Sequence, residues 1–184
     1  MGSPVVVEYC GCHRYPTTPR RVWDALGDLD QIGLWGWLHE LQSEGPSMVT
    51  GSSVHGVVVP PLPYRIHLHI AFVSCVRPSR VDAVVSGDLV GDAHLRLKRQ
   101  GSDTEVTATW SLEMMQPAMR FAARVMPGVM RWGHDRVVDA TAQALGKHLQ
   151  HAIAVGSPEA EKSHRDSERN HAPRQRVQRD LEGP

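Results

Sequence analysis

Between Tyr64 and Val73 the sequence alternates with a period of two. Tyr64, Ile66, Leu68, Ile70 and Phe72 fall on one face, and Arg65, His67 and His69 on the other. A strand of a sheet with one wet side satisfies that pattern. The pattern returns in Thr104 to Met114, where Val106, Ala108, Trp110, Leu112 and Met114 alternate with Thr107, Thr109 and Ser111. Val54 to Val59, Val81 to Leu89 and Asp92 to Lys98 are further strand candidates, with Gly101-Ser102-Asp103 as a hairpin turn. Pro60-Pro61-Leu62-Pro63 must be a loop, because proline cannot donate to a ladder. Strands linked this closely form an antiparallel meander rather than βαβ units.

The apolar face of such a sheet needs a cover, and one segment is long enough to supply it. Pro117 to about Ala154 is helical in pattern, with a break or kink at Pro127-Gly128. Its long part carries one apolar stripe through Met130, Val137, Val138, Thr141, Ala144, Leu145 and Leu149, at spacings of three and four. Upstream, Val5 to Arg14 reads as a first strand. Thr18 is a good N-cap and Pro19 suits the first helical position of a short helix bearing Val22, Trp23 and Leu26. Ile32 to Leu38 is apolar but broken by glycines, and reads as a second short helix or a loop.

These elements predict one α+β domain over residues 1–155. A curved antiparallel β-sheet wraps around a long C-terminal α-helix, with short helices between the first two strands. Residues 156–184 hold mixed charges, few apolar side chains and no periodicity, so a disordered charged tail is expected there.

Charge and composition narrow the function. Lys+Arg and Asp+Glu balance at 20 each, which argues against nucleic acid as the main partner. No run approaches the roughly 18 apolar residues of a membrane span. The start, MGSPVVVEYC, lacks the basic and apolar regions of a secretory signal. Cys10, Cys12 and Cys75 are too few for a disulfide framework, and their use fits a reducing cytoplasm. Cys10-Gly-Cys12-His13 could suggest a soft metal site, but no second ligand pair stands at a zinc spacing. Structural cysteines are the expectation, with no metal and no cofactor.

Four stretches carry a resemblance. They are Pro19-Arg20-Arg21-Val22-Trp23-Asp24-Ala25-Leu26, Pro61-Leu62-Pro63-Tyr64-Arg65, Ser86-Gly87-Asp88-Leu89-Val90-Gly91 and Arg131-Trp132-Gly133-His134-Asp135-Arg136-Val137-Val138. With the order of elements, they resemble the START-like superfamily, also called SRPBCC or helix-grip, in its bacterial polyketide cyclase/dehydrase-like branch. The resemblance implies a deep cavity between sheet and long helix that takes polyketides, lipids, sterols or aromatic compounds. It does not imply catalysis, since that superfamily mixes enzymes with carriers and sensors.

His134 is the principal candidate residue. Its spacing to Met130, Val137 and Thr141 puts it on the inward stripe, where it could move protons near neutral pH. Alternatively it bonds a backbone group or Asp88 and anchors the helix. Asp88 lies between two glycines and could polarise a histidine, bind a ligand hydroxyl or bond backbone amides in a bend. Tyr64, Ile66, Leu68 and Trp110 fall on apolar strand faces and, with Met130, Val137 and Thr141, would line the cavity or pack as core. Trp35 and Trp37 would be an entrance lid or an anchor closing the core. Arg65 would reach the interior only if a bulge reversed the register.

Three functions compete. The first is binding of a hydrophobic small molecule by a monomer or weak homodimer. The second is a polyketide aromatase/cyclase or dehydratase using His134, with Tyr64 or Arg65 steadying an enolate. The third is a partner-binding module with a filled interior. Small residues facing the interior would favour the first. Polar groups converging on one point would favour the second.

Overall fold

The structure is a computed structural model and describes residues 4–155. Residues 156–184, where a disordered tail is expected, lie outside the described residues. The chain divides into one compact unit over Met1–Leu149 and a second from Gln150 onward. The second contributes the last described turns of the final helix, where Gln150 and His151 are exposed. The account below concerns the first unit.

The strands are β1 (Val6–Tyr15), β2 (Leu38–Glu44), β3 (Ser53–Val58), β4 (Ile66–Val76), β5 (Arg80–Gly87), β6 (Leu89–Gln100) and β7 (Asp103–Met114). The helices are α1 (Pro19–Gly27), α2 (Leu29–Ile32), α3 (Pro117–Val125) and α4 (Pro127–Val155). All strand pairs are antiparallel, in the order β1-β7-β6-β5-β4-β3-β2. The sheet is open, with β1 and β2 at its edges, and wraps the long helix. The sequence-based α+β expectation is therefore met.

Local signals act as their chemistry requires. Thr18 Oγ1 accepts from the Arg21 amide at 3.5 Å, capping α1 with Pro19 next to it. Gln100 pairs with Asp103 across a two-residue turn in which Gly101 has φ +63°. Pro127 ends the preceding helix, so α3 stops at Val125 and α4 starts two residues later.

Two sequence-based boundaries change. The expected strand over Val81 to Leu89 is split: β5 ends at Gly87, the chain turns at Asp88, and β6 starts at Leu89. Gly87 has φ +112°, and a Cβ there would run into the His67 carbonyl oxygen. β2 has no counterpart in the alternation-based reading. It is an edge strand with only Leu38 and Leu41 half-buried, and a bulge between His39 and Gln42 with Glu40 at φ +54° breaks its period.

Packing is tight toward one end of the sheet. Tyr15, Val22, Trp23, Val81, Leu97 and Val106 form a buried cluster with Leu145 and Leu149 of α4. The Tyr15 hydroxyl donates to the Ala142 carbonyl at 3.2 Å, tying β1 to α4. Burial pushes this phenol up to about 12, with Tyr9 adding to the shift. Thr104, fully buried, donates to the Thr17 carbonyl at 2.6 Å and fixes the approach to α1.

Candidate functional site

The register of β1 on β7 builds the site. Tyr9 pairs with Trp110, and Trp110 pairs with Ala93 of β6. All three side chains share the face that α4 covers, because strand side chains alternate and Tyr15, on the same parity as Tyr9, bonds α4. The Tyr9 and Trp110 rings stack with centroids 4.1 Å apart. The Tyr9 ring lies along its own strand over Gly11, where a Cβ would overlap its hydroxyl. That hydroxyl reaches His13 Nε2 at 3.5 Å.

From α4, His134 meets both rings edge-on, at 5.4 Å from Tyr9 and 5.6 Å from Trp110. Its Nδ1 lies 3.2 Å from Asp135 Oδ1. A carboxylate only accepts, so Nδ1 donates to it, and in the neutral form of the ring Nε2 is left with a lone pair. Nε2 is buried and has no hydrogen-bond partner among the described residues. The Tyr9 hydroxyl is shifted up by burial first, then by electrostatic interaction with Asp139, Cys10 and Asp135. It is therefore a neutral donor at ordinary pH.

Tyr64 stands beside β4 rather than within it, and its hydroxyl donates to Met130 Sδ at 3.4 Å. Thioether sulfur is a weak acceptor, so a better one could displace it. Burial raises the Tyr64 phenol. Gly133 lets α4 approach the loop closely, since a Cβ there would press on the Leu62 side chain.

The concave face is not uniformly covered. Tyr9, Ala93, Ala108 and Trp110 face α4 from β1, β6 and β7 yet are only half-buried. On strands β6 and β7, which have neighbours on both sides, a directly packed helix would bury them. The small side chains of Ala93 and Ala108 fill little of the space under α4, beside the rings of Tyr9, Trp110 and His134. Two surface depressions lie elsewhere. One of about 450 Å³ is lined by Trp23, Asp24, Met48, Thr50, Cys75 and Arg77. The other, about 340 Å³, runs along α4 beside Arg131 and Trp132.

No family model matches the sequence, and no curated protein matches it. Solved structures do share the fold. A protein of Thermus thermophilus is 15% identical over 82% of this chain and 100% of its own, with a TM-score of 0.64. The Zhui aromatase/cyclase from a Streptomyces species is 11% identical over 83% and 99%, at 0.66. Norcoclaurine synthase from Thalictrum flavum, in complex with dopamine and hydroxybenzaldehyde, is 12% identical over 81% and 89%, at 0.56. The fold is helix-grip-like. At these identities the likeness is one of fold alone.

Within this helix-grip frame the other candidate residues take definite places. Ile66 and Leu68 are half-buried on β4, and Val137 is half-buried on α4. Thr141 donates its hydroxyl to the Val137 carbonyl at 2.7 Å, which uses up its one donor. Trp35 packs on the buried cluster and lies 5.9 Å from Trp37, whose Nε1 is buried without a partner among the described residues. Arg65 is exposed and pairs with Glu40 at 3.7 Å. Cys10 and Cys12 are exposed on the convex face.

Asp88 and His134 are not brought together. Asp88 instead accepts from the His67 amide at 2.7 Å and lies 3.0 Å from His67 Nδ1. Burial pushes this carboxyl up, but the His67 amide, the Gln116 side chain and the His67 ring outweigh it and hold it below the usual range. Its contribution to stability is therefore full above the unfolded value near 4 and is lost as pH falls through the lower folded value. Thermal melts from pH 6 down to about 2 should show the margin of wild type over Asp88→Asn shrinking in acid. A margin independent of pH would contradict this.

Tyr9 was not among the sequence candidates, and His13 figured there only beside Cys10 and Cys12 as a metal ligand. The available signal was Tyr9-x-Gly11, a large ring two residues from a glycine on the same strand face.

Proposed function

We propose that this chain binds a hydrophobic, ring-containing small molecule bearing a hydroxyl group, in the gap between the sheet and α4. The observation that carries the reading is the half-covered patch of Tyr9, Ala93, Ala108 and Trp110 beneath a helix that packs tightly farther along, at Leu145 and Leu149. Small residues facing the interior leave room, and the apolar rings supply contact area. His134 Nε2 is the acceptor that a ligand hydroxyl would satisfy. Tyr64, displaced from its weak sulfur partner, is a donor at the same helix turn.

Native mass spectrometry of the freshly purified protein tests this. A non-covalent adduct is expected on wild type and should be lost in Ala108→Leu, which fills the gap, while circular dichroism stays unchanged. Absence of any adduct, together with no binding of added phenolic ring compounds, would refute the reading.

Catalysis is the second reading, and a specific observation favours it. The Tyr9 hydroxyl, His13 Nε2 and the His134 ring converge on one side of the interior. In an aromatase/cyclase or dehydratase, His134 would take a proton while Tyr9 donated to a developing enolate oxygen. If His134→Ala abolished turnover of a polyketide-like substrate but left its affinity intact, catalysis would replace binding as the main function.

A further inference from the structure

We propose that β1 is the interface of a symmetric dimer, in which the β1 strands of two copies pair antiparallel about a two-fold axis at Gly11. β1 is an edge of the sheet, with no strand on its outer side among the described residues. Its ten residues hold an unbroken register on β7, with no bulge and no proline. The opposite edge is blunted, since β2 has a bulge after His39 and Glu40 at φ +54°. A long regular edge without such a device is a template for another strand.

The ladder sets which groups of β1 stay open. The Met114 amide donates to the Val5 carbonyl at 2.8 Å, so Val5 and Met114 are a hydrogen-bonded pair. Such pairs recur at every second residue, so Val7, Tyr9, Gly11 and His13 bond β7. Glu8, Cys10, Cys12 and Arg14 therefore turn their N–H and C=O groups to the open side. Their four side chains are exposed on the convex face.

The residues along this edge identify its occupant as a second copy. Glu8 and Arg14 stand three residues before and after Gly11, and Cys10 and Cys12 one before and one after. About a two-fold axis at Gly11, Glu8 meets Arg14 of the second copy and Cys10 meets Cys12. Each is a pair of the hydrogen-bonded kind that the open groups require. Opposite charges placed directly across two strands attract. Arg14 already pairs with Glu105 at 3.5 Å, so in the dimer it lies between two carboxylates. Sliding the register by two residues keeps the backbone bonds but sets Glu8 or Arg14 opposite a cysteine and loses both ion pairs. Gly11 brings no side chain to the axis, where the Cα atoms approach to about 4.5 Å. On the concave side Tyr9 faces His13 of the second copy, so the seam runs beside the interior that holds the Tyr9 ring.

Sedimentation velocity of the reduced full chain tests the proposal, and a concentration-dependent dimer is expected. Glu8→Arg and Arg14→Glu should each weaken it roughly tenfold by setting like charges opposite one another. The double swap Glu8→Arg/Arg14→Glu should restore it. Oxidation by diamide checks the register in a Cys75→Ser background. A hydrogen-bonded pair holds its Cα atoms about 5.5 Å apart, within disulfide reach. The protein with Cys10 and Cys12 should give a covalent dimer. Adding Cys10→Ser or Cys12→Ser should abolish it, and an equimolar mixture of those two variants should cross-link again. Circular dichroism checks that every variant folds. A chain that stays monomeric at every concentration would overturn the proposal, as would a dimer indifferent to both charge variants. So would covalent dimers of either single-cysteine protein formed as readily as in the mixture. The inference rests on this edge alone, so an empty interior in mass spectrometry leaves it standing.

Discussion

Leu145→Ala is expected to cost about 2–5 kcal/mol of stability. Leu145 is 3% exposed and lies in the cluster of Tyr15, Val22, Trp23, Val81, Leu97 and Val106. Truncation removes its transfer free energy and leaves a cavity, because β-strands on one side and α1 on another cannot both collapse into it. A domain of this size has a total of about 5–15 kcal/mol, so the loss is a large share. Urea unfolding should show a lower midpoint at an unchanged slope. A loss below about 1 kcal/mol would mean that α4 does not clamp the sheet where the cluster places it. The defect should leave the interior near His134 unaltered, since that gap lies about three helical turns away along α4.

That separation explains which parts of the molecule could be read from sequence. The clamp was legible because its residues obey simple periods: Val106 and Leu112 alternate on β7, and Leu145 and Leu149 recur on α4. The N-cap at Thr18 and the break at Pro127 were legible because they depend on neighbours in the chain. β2 was not, because an edge strand with a bulge needs few apolar residues and keeps no period. A bend at Asp88 was legible in its flanking glycines, but the strand boundary there was not, because Leu89 and Val90 extend the apolar run.

The site was half legible. Helical spacing placed His134 on the inward stripe, and strand alternation placed Trp110 on the apolar face. Nothing local says that they meet. That follows from the β1–β7 register, which sets Tyr9 opposite Trp110, and from the absence of a side chain at Gly11, which lets the Tyr9 ring lie flat. β1 also disguised its own faces. Outward Cys10 and Cys12 look apolar, while inward Tyr9 and His13 look polar. A pattern of hydrophobicity cannot reveal a polar interior, which exists here where Ala93 and Ala108 fill little of the space under the helix.

The most informative variant is His134→Leu, because binding and architecture predict opposite results for it. Nε2 is buried with no hydrogen-bond partner among the described residues, and such an atom costs about 1–3 kcal/mol. Leucine has similar bulk, keeps contact with Tyr9 and Trp110, and removes that cost. It gives up only the contact with Asp135, which is 61% exposed and contributes little. The free variant should therefore melt at the same temperature as wild type or a few degrees higher. A bound hydroxyl that had donated to Nε2 would now be buried unpaired, so affinity for a hydroxylated ring compound should fall by about 1–3 kcal/mol, or roughly 5- to 150-fold. Affinity for the same ring without its hydroxyl should stay level or improve. If His134→Leu is instead clearly destabilised and binds both compounds as wild type does, His134 is an anchor of α4 and the acceptor role fails. A gain in stability paired with a loss in affinity is the signature of a group kept unsatisfied for a ligand, beside side chains too small to fill the space under α4.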